Sequence, residues 1–201
     1  MRKSVAAVLF IAVLALALAA ACCIKTYQQT TTTEISVTTT TRTITWPSTL
    51  TPATPSSFPA EVFFSPNGGC MDQVVHWIDS ANKSIHVLIY SFTLDDVGRA
   101  LTSALDRGVD VKVVFEKDQI SQYSEYSILR AAGVPVKNDI NSALMHDKIA
   151  IVDGYIVLTG SYNWSSAAEE RNNENLLVIR DPTLAQRFEA EFQKIWRESV
   201  G

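Results

Sequence analysis

The stretch Met145-His-Asp-Lys-Ile-Ala-Ile-Val152, followed by Asp153 and Gly154, decides how this chain folds. Its β-branched residues predict a β-strand over residues 145–152. Side chains two residues apart lie on the same face of a strand, so we expect His146 and Lys148 side by side. One face of an otherwise apolar strand therefore carries an imidazole next to an ammonium group.

A β-hairpin is predicted to continue from this strand. Asp153-Gly154 is typical of a two-residue hairpin turn, and residues 155–159 supply the returning strand. With such a turn His146 lies opposite Ser161, so the segment Gly160-Ser161-Tyr162-Asn163 arrives beside the imidazole. The sequence therefore predicts that one local hairpin assembles a polar site.

A purely structural role is the alternative for these polar residues, as satisfied groups in a buried hairpin. A buried lysine is costly unless it is paired. A chance combination of this many specified residues at these spacings is also rare. Both considerations favour a site that handles phosphate.

Further strands and helices are predicted by the spacing of apolar residues. Alternation predicts strands near residues 61–64, 84–92, 111–115 and 175–179. The helical period predicts a first helix around Val74, Val75 and Ile78, a second between Thr93 as N-cap and Gly108, a third ending at Ala132, and a last from Pro182 to Glu198. This alternation predicts an α/β fold, a mixed β-sheet flanked by helices, in a single domain over residues 60–201.

The pattern His146-x-Lys148-x4-Asp153, with Gly160-Ser161-x-Asn163 after it, resembles the signature of the phospholipase D superfamily. The resemblance extends over about residues 60–198 and is closest to the short members with a single motif, of which the bacterial endonuclease Nuc is the type. It implies the phospholipase D-like fold and a metal-independent phosphoric diester hydrolase. It also implies a covalent phosphohistidine at His146 and no cofactor.

The resemblance implies roles for the other site residues. Lys148, Asn163 and Ser161 would hold the nonbridging oxygens of the phosphate, which suits a cation, an amide and a hydroxyl. Glu174 matches a carboxylate that orients the imidazole, with a solvated acid at a strand edge as the alternative. Asp153 falls in the hairpin turn, away from the phosphorus, so we expect it to support the turn rather than to transfer a proton.

The leaving-group acid has no obvious source within one chain. A single histidine does not readily act as nucleophile and as acid in the same step. The chain has three histidines and one such motif. The resemblance implies a homodimer with a composite active site, in which His146 of a second copy supplies the proton.

The net charge of the predicted domain is relevant to the choice of substrate. From residue 60 onward the chain has 13 Lys and Arg against 20 Asp and Glu, a net charge of 13 − 20 = −7. A nonspecific nucleic-acid binder is normally basic. The length and the single motif nevertheless favour nucleic acid as substrate. The alternatives are release of head groups from membrane phospholipids and a noncatalytic phosphate-binding surface module.

The N-terminal part predicts a membrane segment and a stalk. The apolar run from residue 5 to residue 24 has the length of a membrane-spanning helix, so residues 1–25 are a transmembrane anchor or a signal peptide, with acylation of Cys22 as a third possibility. Residues 26–59 are rich in threonine and proline and are expected to form a disordered linker. Under these interpretations the catalytic domain is membrane-anchored or secreted and extracytoplasmic.

Overall fold

The computed structural model of the protein describes residues 59–201, and the predicted membrane segment, Cys22 and almost all of the predicted stalk lie outside them. Seven strands form one mixed sheet in the order β1-β7-β6-β5-β2-β3-β4. The strands are β1 (Ala60–Ser65), β2 (Ser84–Ile89), β3 (Asp110–Phe115), β4 (Val136–Asn138), β5 (Lys148–Val152), β6 (Ile156–Gly160) and β7 (Glu174–Arg180). The predicted mixed α/β architecture is confirmed.

Helices connect and cover these strands. They are α1 (Cys70–Ser80), α2 (Asp95–Asp106), α3 (Tyr126–Ala131), α4 (Ser166–Glu170) and α5 (Pro182–Glu198), with a short 3₁₀ turn at Lys117–Gln119. The bounds of α5 agree with the prediction because Asp181 caps it, accepting the N–H groups of Thr183 and Leu184, and Pro182 opens its first turn.

The start of α2 differs by one residue from the prediction. Leu94, not Thr93, is the N-cap residue, and no side chain caps this end. The backbone N–H groups of Thr93 and Leu94 both donate to the carbonyl oxygen of Trp164, which joins the segment before α2 to a distant part of the chain. At the other end, Gly108 adopts φ 88° and its N–H donates to the carbonyl oxygen of Leu105, which confirms it as the terminator.

The register of the β5–β6 hairpin also differs from the prediction. A two-residue turn would pair Lys148 with Thr159, but Thr159 pairs with Ile149 and Val152 pairs with Ile156. Asp153 and Gly154 do adopt the positive φ angles of the predicted turn, and the Tyr155 N–H donates to the carbonyl oxygen of Val152. Tyr155 is then an extra loop residue, so every pair shifts by one position.

Apolar side chains form a core on each face of the sheet. The larger core packs α1, α2 and α3 against the sheet, with Val87, Val113 and Ala150 among its buried members. On the other face, Phe192 and Ala185 of α5 pack against strand residues of the smaller core. The two cores leave the ends of the strands free to carry polar groups.

Strand direction brings one set of strand ends to the same edge. The strand β2 is parallel to β3 and antiparallel to β5, and β5, β6 and β7 alternate in direction. The carboxyl ends of β2, β3 and β6 therefore lie beside the amino ends of β5 and β7. This edge, called here the catalytic edge because the predicted site residues fall on it, carries the polar residues described next.

Candidate active site

Five of the six predicted site residues line one open cavity at the catalytic edge. It has a volume of about 550 Å³, and its walls are His146, Lys148, Gly160, Ser161, Asn163, Glu174 and Asn175. Asp153 lies at the opposite end of β5 and is not part of this cavity. His146 precedes β5 rather than lying within it, so the strand predicted from residue 145 begins three residues later.

His146 and Lys148 differ in their exposure to solvent. His146 is exposed, whereas Lys148 is only 8% exposed. The Lys148 ammonium group donates to the carbonyl oxygen of His146 at 2.6 Å. Burial lowers the pKa of Lys148, an effect that the nearby carboxylates of Asp147 and Glu174 oppose. The site thus holds a largely desolvated cation beside an accessible imidazole.

Ser161 is fixed by β7. Its N–H donates to the carbonyl oxygen of Asn175 at 3.1 Å, and its hydroxyl oxygen accepts from the Asn175 backbone N–H at 3.1 Å and from the amide Nδ2 at 3.3 Å. Both lone pairs of the hydroxyl are therefore occupied, and its hydrogen remains for donation to a ligand.

Gly160 makes this close approach of β6 and β7 possible. It adopts φ 144°, and a Cβ atom at this position would lie 2.3 Å from the carbonyl oxygen of Asn175. No other residue fits without moving the strand that holds Ser161. The glycine of the motif is therefore a steric requirement of the site.

Asn163 is oriented by its carbonyl group. Its Oδ1 accepts the backbone N–H of Ser91 at 3.3 Å, just beyond the end of β2. That bond directs the Nδ2 donors away from Ser91, and Asn163 borders the cavity. The amide can therefore offer its N–H groups to an anion.

Glu174 lies in the cavity wall but is not bonded to His146 in this structure. Its Oε1 accepts from the Asn172 amide at 3.0 Å. The role predicted for Glu174, orienting the imidazole, therefore stays a prediction.

Asp153 supports the fold at the far end of β5. Its carboxylate accepts the backbone N–H groups of three consecutive residues, Asn82, Lys83 and Ser84, at distances from 2.8 to 3.2 Å. These bonds join the hairpin to the start of β2.

Two residues at the catalytic edge were not singled out by the sequence. The ring of Tyr90, just after β2, lies 4.4 Å from the His146 imidazole between centroids and 4.8 Å from the Lys148 Nζ. Glu116, just after β3, is fully buried and accepts the Met145 N–H at 2.6 Å, one residue before His146. Glu116 directly follows the strand predicted over residues 111–115, whereas Tyr90 falls inside the strand predicted over residues 84–92, which ends at Ile89 in the structure.

A second cleft, of about 630 Å³, opens on the other side of His146. Four carboxylates line it, Asp139, Asp147, Glu191 and Glu198, together with one lysine, Lys194. The pKa of Asp147 is raised, mainly by burial and then by the negative charge of Glu191. The wall also contains the side chains of Ile140 and Leu144, which are 55% and 47% exposed. This cleft beside His146 is acidic and partly apolar.

Residues 59–201 contain neither a cluster of metal-binding side chains nor a membrane-spanning helix. These residues contain no group of three or more His, Cys, Asp or Glu side chains arranged to hold a metal ion. In the same part of the chain, no helix combines the length and apolarity needed to cross a bilayer.

Residues 74–196 match the model of the protein family described as "Cardiolipin synthase, PLD-like domain". Among curated proteins, the mitochondrial cardiolipin hydrolase of Xenopus tropicalis is 37% identical over 119 residues, which cover 59% of this chain and 57% of that protein. The enzyme of the same name from Chlamydomonas reinhardtii is 34% identical over 127 residues, covering 63% of this chain and 57% of that protein. The match thus spans less than two thirds of these relatives' length.

Two solved structures resemble this chain over nearly their whole length. Nuc from Salmonella typhimurium, a phospholipase D family member, has a TM-score of 0.67 and 38% identity, covering 70% of this chain and 95% of that one. NucT from Helicobacter pylori has a TM-score of 0.65 and 29% identity, covering 71% of this chain and 98% of that one.

The predicted localisation is contradicted by these comparisons. We expected a membrane-anchored or secreted, extracytoplasmic domain, but the curated relatives are named as mitochondrial proteins. The expectation was wrong because an apolar run of bilayer length does not specify which membrane receives it.

Proposed function

The chain belongs to the phospholipase D superfamily, in the family of cardiolipin synthase PLD-like domains, and on this premise we propose that it hydrolyses a phosphodiester bond of a membrane phospholipid. The enzyme class expected from the sequence, a phosphodiesterase of the phospholipase D type, rests on the same membership. A cardiolipin-like lipid is the favoured substrate, since the curated relatives are named for cardiolipin hydrolysis.

In the proposed reaction, a ring nitrogen of His146 attacks the phosphorus. The bond from phosphorus to the leaving oxygen breaks, and that oxygen takes a proton from an acid and departs as an alcohol. Water then attacks the phosphohistidine, which releases the phosphate monoester and restores the imidazole.

Three donors are placed to stabilise the negative charge that develops on the phosphate. They are the Lys148 ammonium, the Nδ2 of Asn163 and the hydroxyl hydrogen of Ser161, all in the wall of the cavity that His146 borders. Lys148 is the strongest of them because its charge is largely desolvated.

The composition of the second cleft is the observation that carries the choice of lipid. A nucleic acid would bring several phosphates past Asp139, Asp147, Glu191 and Glu198, with Lys194 as the cation in that wall. A lipid needs to bring only its reacting phosphodiester to His146, and its apolar part can contact the exposed side chains of Ile140 and Leu144. We therefore place the phospholipid, the alternative in our sequence analysis, ahead of nucleic acid.

Nucleic acid remains the second candidate. The likeness to Nuc favours it, because this chain covers 95% of Nuc at 38% identity and carries a single motif, as the short members do. The noncatalytic alternative has less support, since the imidazole, ammonium, hydroxyl and amide groups of the motif all border one cavity.

A direct experiment compares the substrates in parallel. The full chain, with EDTA present, is incubated with phosphatidylcholine vesicles containing cardiolipin, with single-stranded DNA and with RNA. Three proteins are compared: the wild type, His146→Ala and the control His76→Ala, which removes an exposed imidazole on α1. We expect phosphatidic acid release that is lost in His146→Ala and kept in His76→Ala. Nucleic acid cleavage with intact lipid would transfer the assignment to a nuclease, and no turnover dependent on His146 would support a binding module.

The leaving-group acid is part of the proposal. We propose that His146 of a second copy supplies the proton, so that the active site is composite and the enzyme a homodimer. When wild-type chains are mixed and re-equilibrated with His146→Ala chains, activity per wild-type chain should fall as the mutant fraction rises. Constant activity per wild-type chain would exclude the composite site and leave the lipid assignment intact.

A further inference from the structure

An aromatic ring lies close to the imidazole of His146. Among residues 59–201, no side chain or backbone group forms a hydrogen bond with this imidazole in the structure, and the residue is exposed. Its aromatic neighbour is Tyr90, with ring centroids 4.4 Å apart and planes inclined at 57°. The orientation of the proposed nucleophile therefore depends on the position of the Tyr90 ring.

The same ring contacts the proposed cation. The Nζ of Lys148 lies 4.8 Å from the centroid of Tyr90, within the range of a cation–π interaction. Lys148 is 8% exposed, and its Nζ makes no ion pair with any carboxylate of the described chain. A ring that favours the ammonium form opposes the effect of burial, which lowers the pKa of Lys148.

Tyr90 is itself fixed at both ends. Its backbone N–H donates to the carbonyl oxygen of Asp147 at 2.9 Å, between His146 and Lys148 in the chain. Its hydroxyl oxygen accepts from the Nε2 of Gln119 at 3.2 Å, in the 3₁₀ turn after β3. The ring is thus tied both to the segment it orients and to a neighbouring strand connection.

We propose that Tyr90 is a positioning residue for the reaction, whose ring sets the orientation of the His146 imidazole and stabilises the Lys148 ammonium. This role rests on the proposed function, because it assigns chemistry to His146 and Lys148. The ring acts through these two residues and needs no contact with the substrate.

The test separates the ring from the hydroxyl. Tyr90→Phe keeps the ring and loses the bond to Gln119, whereas Tyr90→Leu removes the ring. For Tyr90→Leu we expect kcat for the active substrate to fall on the order of 10²-fold with little change in KM, since small misplacements of reacting groups have effects of this size. Tyr90→Phe should keep kcat within a few-fold of the wild type.

Two further measurements distinguish positioning from a general loss of packing. In Tyr90→Leu the alkaline limb of the kcat profile should move to lower pH, since Lys148 loses the ring that favours its charged form. Rapid quenching should also show slower formation of the phosphohistidine. The matched control is Tyr126→Leu, which removes a buried tyrosine stacked edge-on against Phe115 at 5.4 Å. This control should lower stability without moving the pH profile.

The outcomes separate this inference from the proposed function. If His146→Ala is inactive while Tyr90→Leu keeps the wild-type kcat and pH profile, the positioning role is wrong and the proposed function stands. An equal loss in Tyr90→Phe and Tyr90→Leu would also overturn the role of the ring. Turnover that persists in His146→Ala would overturn the proposed function itself.

Discussion

The two ends of β5 carry the two halves of one sequence motif, and they are built in opposite ways. At the catalytic edge, His146 is exposed and the cation of Lys148 is buried without a carboxylate partner among residues 59–201. At the other end, the Asp153 carboxylate accepts three backbone N–H groups from Asn82 to Ser84. Under the proposed function, a contiguous motif therefore supplies His146 and Lys148 to the reaction and Asp153 to the fold.

Removing the Lys148 cation should have the largest effect, and it should reduce activity without reducing stability. We expect Lys148→Met to lower kcat on the order of 10³-fold, as the loss of a donor to a developing negative charge does. Its stability should equal or exceed that of the wild type, because an apolar chain of similar length replaces a desolvated ammonium. The measurements are kcat and the urea midpoint. A marked loss of stability would mean that Lys148 also supports the fold, which would remove the contrast with Asp153.

Substitution of Gly160, at the catalytic edge, should lower both the stability of the fold and kcat. Gly160→Ala places a Cβ atom 2.3 Å from the carbonyl oxygen of Asn175 at a φ of 144°, so the β7 backbone that holds Ser161 must move. We expect a loss of about 3 kcal/mol in the free energy of unfolding, at the upper end for a strained backbone position, and a fall in kcat.

Gly108→Ala is the matched control for this change. Gly108 also has a positive φ, 88°, but within the described part of the chain nothing lies within 4 Å of an added Cβ atom. It should cost about 1 kcal/mol and leave kcat unchanged. If Gly160→Ala kept the wild-type kcat, the close approach of β6 to β7 would have no role in placing Ser161.

Asp153→Ala should lower stability and leave kcat unchanged, the reverse of what we expect for Lys148→Met. Losing the carboxylate leaves three N–H groups without their acceptor, so we expect about 2 kcal/mol of destabilisation with kcat per folded molecule retained. Asp153→Asn, which tolerates the positive φ of 55° and keeps one oxygen, should lose less. Urea unfolding and active-site titration measure the two quantities. A large fall in kcat with normal stability would give Asp153 a part in the reaction.

Features that local residues specify could be predicted from the sequence. The hairpin, the end of α2 at Gly108 and the bounds of α5 were predictable because local residues specify them: a turn pair, a terminating glycine and a capping aspartate followed by proline. The motif likewise identified most of the cavity wall. These features need only short-range rules.

What could not be predicted depends on contacts between distant segments. The hairpin register shifted because Tyr155 joins the loop, and Tyr155 accepts the Asp181 N–H through its carbonyl oxygen. Leu94 is the N-cap residue of α2 in place of Thr93, and the N–H groups of both residues donate to the distant carbonyl oxygen of Trp164. Tyr90 and Glu116 reach the His146 segment from other strands, so their part in the site becomes visible only once the strand order is known.

The smallest effect should come from Asp147, a carboxylate at the catalytic edge that lacks the kind of partners Asp153 has. Burial first, and then the negative charge of Glu191, raises the pKa of Asp147, against the opposing charges of Lys148 and His146. A raised carboxyl pKa means that the folded state favours the neutral form. The stability that this provides is present below the unfolded pKa and is lost as pH rises through the folded pKa.

Asp147→Asn should therefore be more stable than the wild type at neutral pH, with the difference disappearing at acid pH below the ordinary range of an aspartate. Thermal unfolding across this range measures the trend, and kcat tests whether the charge beside His146 matters for turnover. Asp79→Asn, at an exposed position on α1, is the control and should stay within about 0.5 kcal/mol of the wild type at every pH. If Asp147→Asn were less stable at neutral pH, the carboxylate would be a supporting group like Asp153. Asp147 and Asp153, at the two ends of β5, would then have the same role, and only His146 and Lys148 would distinguish the catalytic edge.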